Sequence, residues 1–325
     1  DTAEALDDST VVITAMPAPP QLEELYLGEQ GLLELVAPGT YLLDLSISNP
    51  QLAREINAMA AVSDIYAVDA PLVNVGDKEA SMLFVGGDKG PIDDLMPLFP
   101  YIAETVLPQN GPGEGQFAAM VAHIALAGAL MGAVEAISLA HIAGFSETAA
   151  INAVASSSGG SRAFVDYIPR VLKHDYTGRI KVGEFIDGLG VALDVADALD
   201  VTLPMTETAY QLYDLLSIVG GEEMNIQSIA LLYEDEKTCA KYGLDWTLAD
   251  ELEYREDERR LFEDYLRRAY GDGEDEDPQD FYDDSDADGL DGGPTTGGPA
   301  GGPMGGPSMG GPMGGPSMGG FFSRN

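Results

Sequence analysis

Apolar residues along the chain fall into two regimes. Up to about residue 110, short apolar runs of strand length occur at 11–14, 41–45, 65–69 and 82–85. Between them, apolar positions recur every three to four residues over 21–35, 51–61 and 92–104, the spacing of one helix face. Strand alternating with helix predicts a parallel sheet wrapped by helices. After Gly115 the helical period takes over, predicting helices over 116–143, 146–155, 163–172, 183–199 and 206–219, the last introduced by Pro204. The fold expected is therefore α/β, a partial Rossmann-type sheet domain followed by an all-helical domain.

Beyond residue 233 the pattern changes again. Residues 248–270 mix acidic residues and arginines with Leu252, Leu261, Phe262, Tyr265 and Leu266, which predicts a charged amphipathic helix. Eleven carboxylates and no base follow in 271–291, a composition that repels itself and cannot bury a core. Gly-Pro-Met-Gly-Gly-Pro-Ser-Met-Gly then occurs twice in tandem, at 302–310 and 311–319, without the strict triplet of collagen. Four regions are expected: a sheet domain at 1–112, a helical dimerisation and substrate domain at 113–233, a charged helical extension at 234–270, and a disordered tail at 271–325.

Charge narrows the partners. With 55 acidic and 16 basic residues in 325, the formal charge is −39, and such a field repels phosphate backbones and anionic lipid. Neither nucleic acid nor a membrane surface is an expected partner. The run 117–134 is apolar enough to suggest a membrane span and carries a Gly128-x-x-x-Gly132 spacing. His123 inside it, Glu135 directly after it and the lack of flanking bases favour the buried central helix of a soluble protein. A single cysteine, Cys239, cannot form an internal disulfide, which fits a reducing cytoplasm. The three histidines have no ligand-like neighbours, so no metal site is expected.

Five segments, in order, carry a family resemblance: Val11-Val-Ile-Thr-Ala-Met-Pro17; Leu27-Gly-Glu-Gln-Gly-Leu-Leu33 with Pro38-Gly39-Thr40; Asp44-Leu-Ser-Ile-Ser-Asn-Pro50; Asp69-Ala-Pro71 with Phe84-Val-Gly-Gly87; and Gly111-Pro-Gly-Glu-Gly-Gln116. Together, residues 11–230 resemble the β-hydroxyacid dehydrogenase family, best known from 3-hydroxyisobutyrate dehydrogenase. The resemblance implies a C-terminal domain like that of 6-phosphogluconate dehydrogenase, a homodimer, a small-molecule substrate and NAD or NADP as cofactor. Met16, Pro17 and Ser46 fall where the family lines its nicotinamide cleft. The Gly-x-Gly-x-x-Gly fingerprint is absent, and the resemblance places it upstream of Asp1, the segment expected to be required for cofactor binding.

The same resemblance points to altered chemistry. Oxidising a 3-hydroxy acid needs a base for the hydroxyl proton while hydride leaves to nicotinamide. The family's lysine falls on Ala119, and no lysine occurs from 90 to 161. Four residues on, where the family has an asparagine, stands His123, on the same helix face and with an ordinary pKa suited to proton transfer. Its unreactive counterpart is a hydrogen-bonded histidine lining a helix crossing. The family's Ser-Gly-Gly carboxylate cradle is replaced by Val73, Asn74 and Val75, and a later cofactor-side lysine by Asp187. Two readings follow: a divergent oxidoreductase acting on something other than a simple 3-hydroxy acid, or a non-catalytic dimeric scaffold with an interaction tail.

Overall fold

The computed structural model describes residue 6 and residues 9–17, 19–74 and 81–250. Contacts divide the chain into two units, Asp1–Ala249 and Asp250–Asn325, and the elements that follow lie in the first. The sequence readings of an amphipathic helix running on through 270, and of the acidic and Gly/Pro/Met-rich tail, lie outside the described residues.

Strands β1 (Val11–Thr14), β2 (Tyr41–Asp44) and β3 (Tyr66–Asp69) form a parallel sheet in chain order. Both faces are covered. Leu42 and Ala67 turn toward helices α1 (Pro19–Leu27), α2 (Leu32–Leu35) and α3 (Pro50–Val62), among Leu22, Tyr26 and Ile56. Their neighbours Leu43 and Val68 turn the other way, against Leu83, Val85, Ile92, Leu95 and Phe99. Burial on both faces is why these runs are continuously apolar rather than alternating. Helix α3 starts where Asn49 accepts from the Gln51 amide and Pro50 occupies the first turn.

A second sheet holds β4 (Leu72–Asn74), β5 (Ser81–Val85) and β6 (Thr105–Pro108), with β4 antiparallel and β6 parallel to β5. Paired backbone hydrogen bonds between Asp69 and Gly86 join the ends of β3 and β5. The expected helix over 21–35 is two helices, broken at Gly28 and Gly31. The one expected over 92–104 shortens to α4 (Lys89–Leu95) and a 3₁₀ turn at Phe99–Tyr101. Pro97 and Pro100 remove the backbone donors a continuous helix needs.

Helix α5 (Glu114–Ile142) runs from the sheets into the helical half, where α6 (Glu147–Ala155), α7 (Arg162–Val171), α8 (Val182–Ala198), α9 (Pro204–Leu216) and α10 (Glu236–Lys241) follow. It contacts α7, α8, α9 and the 3₁₀ segment Ile226–Tyr233 at one end, and β5 and α3 at the other. By length and composition α5 could cross a membrane, yet 44% of its most apolar window is buried inside the protein. The helical core continues past residue 233: Cys239 and Leu244 are buried in it, with Trp246 packed alongside.

Candidate functional site

The carboxyl ends of the parallel strands carry the polar residues. Thr14, Asp44 and Asp69 are partners on adjacent strands, each closing an otherwise apolar four-residue run. This is the edge at which open α/β sheets bind ligands. Thr14 Oγ1 donates to Asp44 Oδ1 at 3.0 Å and lies 2.7 Å from the Tyr26 hydroxyl. Ser46 donates to the same carboxylate oxygen through its amide and its hydroxyl, at 3.1 and 2.6 Å. The Met16 amide in turn donates to Ser46 Oγ at 2.8 Å. The structure thus brings the sequence-derived residues Met16 and Ser46 together, leaving Met16 half-buried and Pro17 exposed at the rim.

Asp69 does different work. Helix α5 begins at Gly113 in a left-handed conformation (φ 77°) with no side-chain cap of its own. The cap comes from β3: Asp69 accepts from the Gly113 amide at 2.8 Å and from the Gln116 amide at 3.0 Å. A negative charge at a helix N-terminus also suits the helix dipole. Gln116 then reaches back to the loop after β2, donating to Ser46 O at 2.7 Å and accepting from the Ser48 amide at 2.8 Å.

Asp44 and Asp69 line one small, partly open pocket with Tyr26, Leu42, Ala53, Ile56, Ala67 and Val68. Burial pushes both carboxyls from 3.8 up to about 6, against hydrogen bonds that favour the charged form; the Asp44 charge adds to the rise at Asp69. The folded state therefore holds protons more tightly than the unfolded chain between about pH 4 and 6. The stability these groups contribute is greatest at acid pH and declines as pH rises through about 6, by at most about 1.4 kcal/mol per unit for each. Asp44→Asn keeps an oxygen for Ser46 and Thr14 but removes one charge. Guanidinium unfolding at pH 5 and pH 7.5 is expected to show a smaller pH difference in this variant than in the parent.

Further along α5, Ala119 is fully buried and His123 is 4% exposed. The imidazole Nδ1 lies 3.0 Å from Ala119 O, and the ring packs on Phe185, centroids 5.5 Å apart, next to Gly188 of α8. Burial lowers the His123 pKa from 6.5, so the ring is neutral at pH 7, with Nδ1 donating to the carbonyl and Nε2 left as the basic nitrogen.

Val73 and Asn74 lie in β4, opposite Met82 and Ser81, an extended edge strand rather than a turned cradle. Asn74 Nδ2 donates to Arg179 O at 3.4 Å. Val75 lies outside the described residues. Asp187 is exposed on α8 beside Gly188; partial desolvation, then repulsion from Glu222, raises its pKa. Among the described residues no group of three or more His, Cys, Asp or Glu is placed to hold a metal. Asp69 and Gln116 stood inside motifs read from the sequence, but their link across 47 residues was not visible there. The available signal was a polar residue closing each apolar strand.

A parallel sheet with polar residues at its carboxyl ends, joined through one long helix to a helical half, defines a Rossmann-type architecture. A family model described as the NAD binding domain of 6-phosphogluconate dehydrogenase matches residues 1–111, and one described as NAD-binding of NADP-dependent 3-hydroxyisobutyrate dehydrogenase matches 113–233. The uncharacterized oxidoreductase YkwC of Bacillus subtilis is 31% identical over 229 residues, covering 70% of this chain and 80% of the relative. The NAD-dependent L-serine dehydrogenase of Pseudomonas aeruginosa is 30% identical over 241 residues, covering 71% and 81%. In fold, the chain is similar to a 3-hydroxyisobutyrate dehydrogenase of Mycobacterium tuberculosis solved with L-serine, at TM-score 0.66 and 22% identity over 72% of this chain and 83% of that one. The chain belongs to the β-hydroxyacid dehydrogenase family of NAD(P)-dependent oxidoreductases.

The described residues fit one end of such a cofactor. Met16 and Pro17 offer an apolar rim at the carboxyl ends of the strands, suited to a nicotinamide ring. The Ser46 hydroxyl is engaged by Asp44 and the Met16 amide, so it shapes the rim. The described sequence has no Gly-x-Gly-x-x-Gly cradle for a pyrophosphate.

Proposed function

We propose that the protein is an NAD(P)-dependent oxidoreductase whose proton-transferring group is His123, acting on a neutral or cationic carbonyl or imine rather than a simple 3-hydroxy acid. The observation that carries this reading is the cleft itself: Met16 is held by Ser46 and Ser46 by Asp44, while Ala119 stands where the family places its lysine. The nicotinamide supplies hydride chemistry when bound. Met16 and Pro17 would hold its ring, with Ser46 fixing Met16. From Gly115 to Val134, His123 is the sole titratable side chain of α5; its neutral ring accepts a proton at Nε2 when the alcohol or amine is oxidised, and in the reductive direction the protonated ring returns it to the carbonyl oxygen or imine nitrogen. Val73 brings branched carbons where the family has a small residue of its carboxylate cradle, and Asp187 adds negative charge where the family has a lysine. A carboxylate substrate is disfavoured on both counts.

The burial of His123 against Phe185 and Gly188 favours a second reading, a non-catalytic relative kept as a dimeric scaffold. NADH and NADPH consumption with a panel of neutral and cationic ketones, aldehydes and imines separates the two. Turnover of one class, absent with 3-oxo acids, is the expected result; no turnover across the panel with either cofactor favours the scaffold.

The proposed protein is cytoplasmic and a homodimer. One face of α5 is uncovered: Val121 is 49%, Leu139 70% and Ile142 72% exposed, and nothing lies within 4 Å of a Cβ built on Gly128 or Gly132. So long an apolar face is too large to leave in water. Light scattering is expected to give twice the 34.3 kDa chain mass; a monomer would contradict the dimer.

A further inference from the structure

Gln116 is 1% exposed and sits on the stripe of α5 that continues through Ala119, Met120 and His123, all buried. For packing alone a leucine would serve at such a position, because burying a carboxamide is costly unless both its ends are paired. Both ends are paired here, and with one short stretch of loop: Nε2 with Ser46 O and Oε1 with the Ser48 amide. At neutral pH a carboxamide offers this donor and acceptor together in one plane, which an ionised carboxylate does not. The Gln116 backbone is itself held by Asp69. An unbroken hydrogen-bonded path therefore runs from β3 through the start of α5 to Ser46, and from Ser46 to the Met16 amide.

We propose that Gln116 is a positioning residue of the cleft: its carboxamide fixes loop 46–48, and through Ser46 the Met16–Pro17 rim, against the α5 face that carries Ala119 and His123. It touches no reacting atom. The proposal rests on the reading of this cleft as an oxidoreductase site, but its structural half is measured without any reaction.

The experiment compares the full chain with Gln116→Leu and Gln116→Glu at pH 5 and pH 8. Amide hydrogen exchange is followed at Ser48, with Leu189 in the helical core as control, and cofactor-linked turnover is measured alongside. Gln116→Leu removes both hydrogen bonds, so Ser48 exchange is expected to rise about a hundredfold while Leu189 is unchanged. Gln116→Glu behaves as a switch. Protonated at pH 5, its carboxyl donates to Ser46 O and accepts from Ser48, restoring protection and turnover. Ionised at pH 8, it repels the Ser46 carbonyl and the loop opens. Turnover there is expected to fall about 10²-fold, as for a misplacement near 1 Å, with cofactor KM within about threefold.

The charged and titratable groups around this junction are Asp69 from β3, which accepts from the Gln116 amide, Asp44 on the strand paired with β3, His123 two turns along α5, and Arg54 of α3 beside Gly113. The parent protein, carrying all of them, is therefore the reference at each pH. Equal Ser48 exchange in the parent and a folded Gln116→Leu would overturn the proposal, and so would a turnover loss in Gln116→Glu that is the same at both pH values. If Gln116→Leu does not fold, Gln116→Glu at the two pH values decides. A parent without turnover contradicts the oxidoreductase reading instead, and the exchange comparison still decides whether Gln116 holds the loop.

Discussion

Gly115→Ala is expected to destabilise the protein by about 3 kcal/mol, the upper range for forcing atoms into a packed interior, lowering Tm by roughly 6–12 °C. A Cβ at this position would meet the Phe84 carbonyl oxygen, and would lie 2.7 Å from Asp69 O and 2.8 Å from Asp69 Oδ2. Two of these atoms are sheet backbone, and the third caps α5, so none can give way alone. The approach is mutual, since a Cβ on Gly86 would come within 2.5 Å of the Gly115 amide nitrogen. Relief requires moving the start of α5 away from β3 and β5, which also breaks the Asp69 cap and the Gln116 tie. Gly90→Ala in α4 is the control, because nothing lies within 4 Å of a Cβ there. Unfolding in guanidinium should separate the two variants; a loss below about 1 kcal/mol for Gly115→Ala would mean the junction is softer than this packing implies.

The second large effect is on rate. If His123 carries the proton, His123→Ala should cut turnover by roughly 10²- to 10⁴-fold while leaving cofactor affinity unchanged. Alanine also leaves a hole beside Phe185, so His123→Gln, which keeps much of the volume and a polar end but cannot carry a proton at neutral pH, is the necessary companion. Both should show the loss. The pH dependence supplies a sign: burial holds the His123 pKa below 6.5, so in the oxidative direction, with the corresponding alcohol or amine as substrate, the rate of the parent should be level above neutral pH and fall only on acidification. The variants should lack that acid limb. Rates within about threefold of the parent in both would assign His123 to the α5–α8 crossing as a packing group.

How legible this was from the chain depends on how local each feature is. The runs at 11–14, 41–45, 65–69 and 82–85 became strands because burial on both sheet faces demands continuous apolar residues, and the long helix was visible in its own period. Strand β4 was missed: its three residues are half-buried and owe their conformation to pairing with β5 across the 75–80 stretch. Strand β6 was hidden behind a helical spacing that Pro97 and Pro100 interrupt. In the site, the helical period put Ala119 and His123 on the long helix, and Met16 and Ser46 lie in the loops that follow β1 and β2. What the sequence did not supply was the burial of His123, the shared rise of Asp44 and Asp69, or the Asp69–Gln116–Ser46 path. The path depends on contacts between residues 44 to 70 positions apart, for which neighbouring sequence carries no signal.

Restoring the family's pattern at 119 and 123 alone, with Ala119→Lys and His123→Asn, leaves Val73 and Asp187 to oppose a carboxylate. Under the proposed function, the cleft of the unmodified protein no longer oxidises simple 3-hydroxy acids. Oxidation of 3-hydroxyisobutyrate by the unmodified protein with NAD and with NADP, followed by nicotinamide absorbance, tests this most directly. No detectable oxidation is the expected result, and robust oxidation with either cofactor would contradict it.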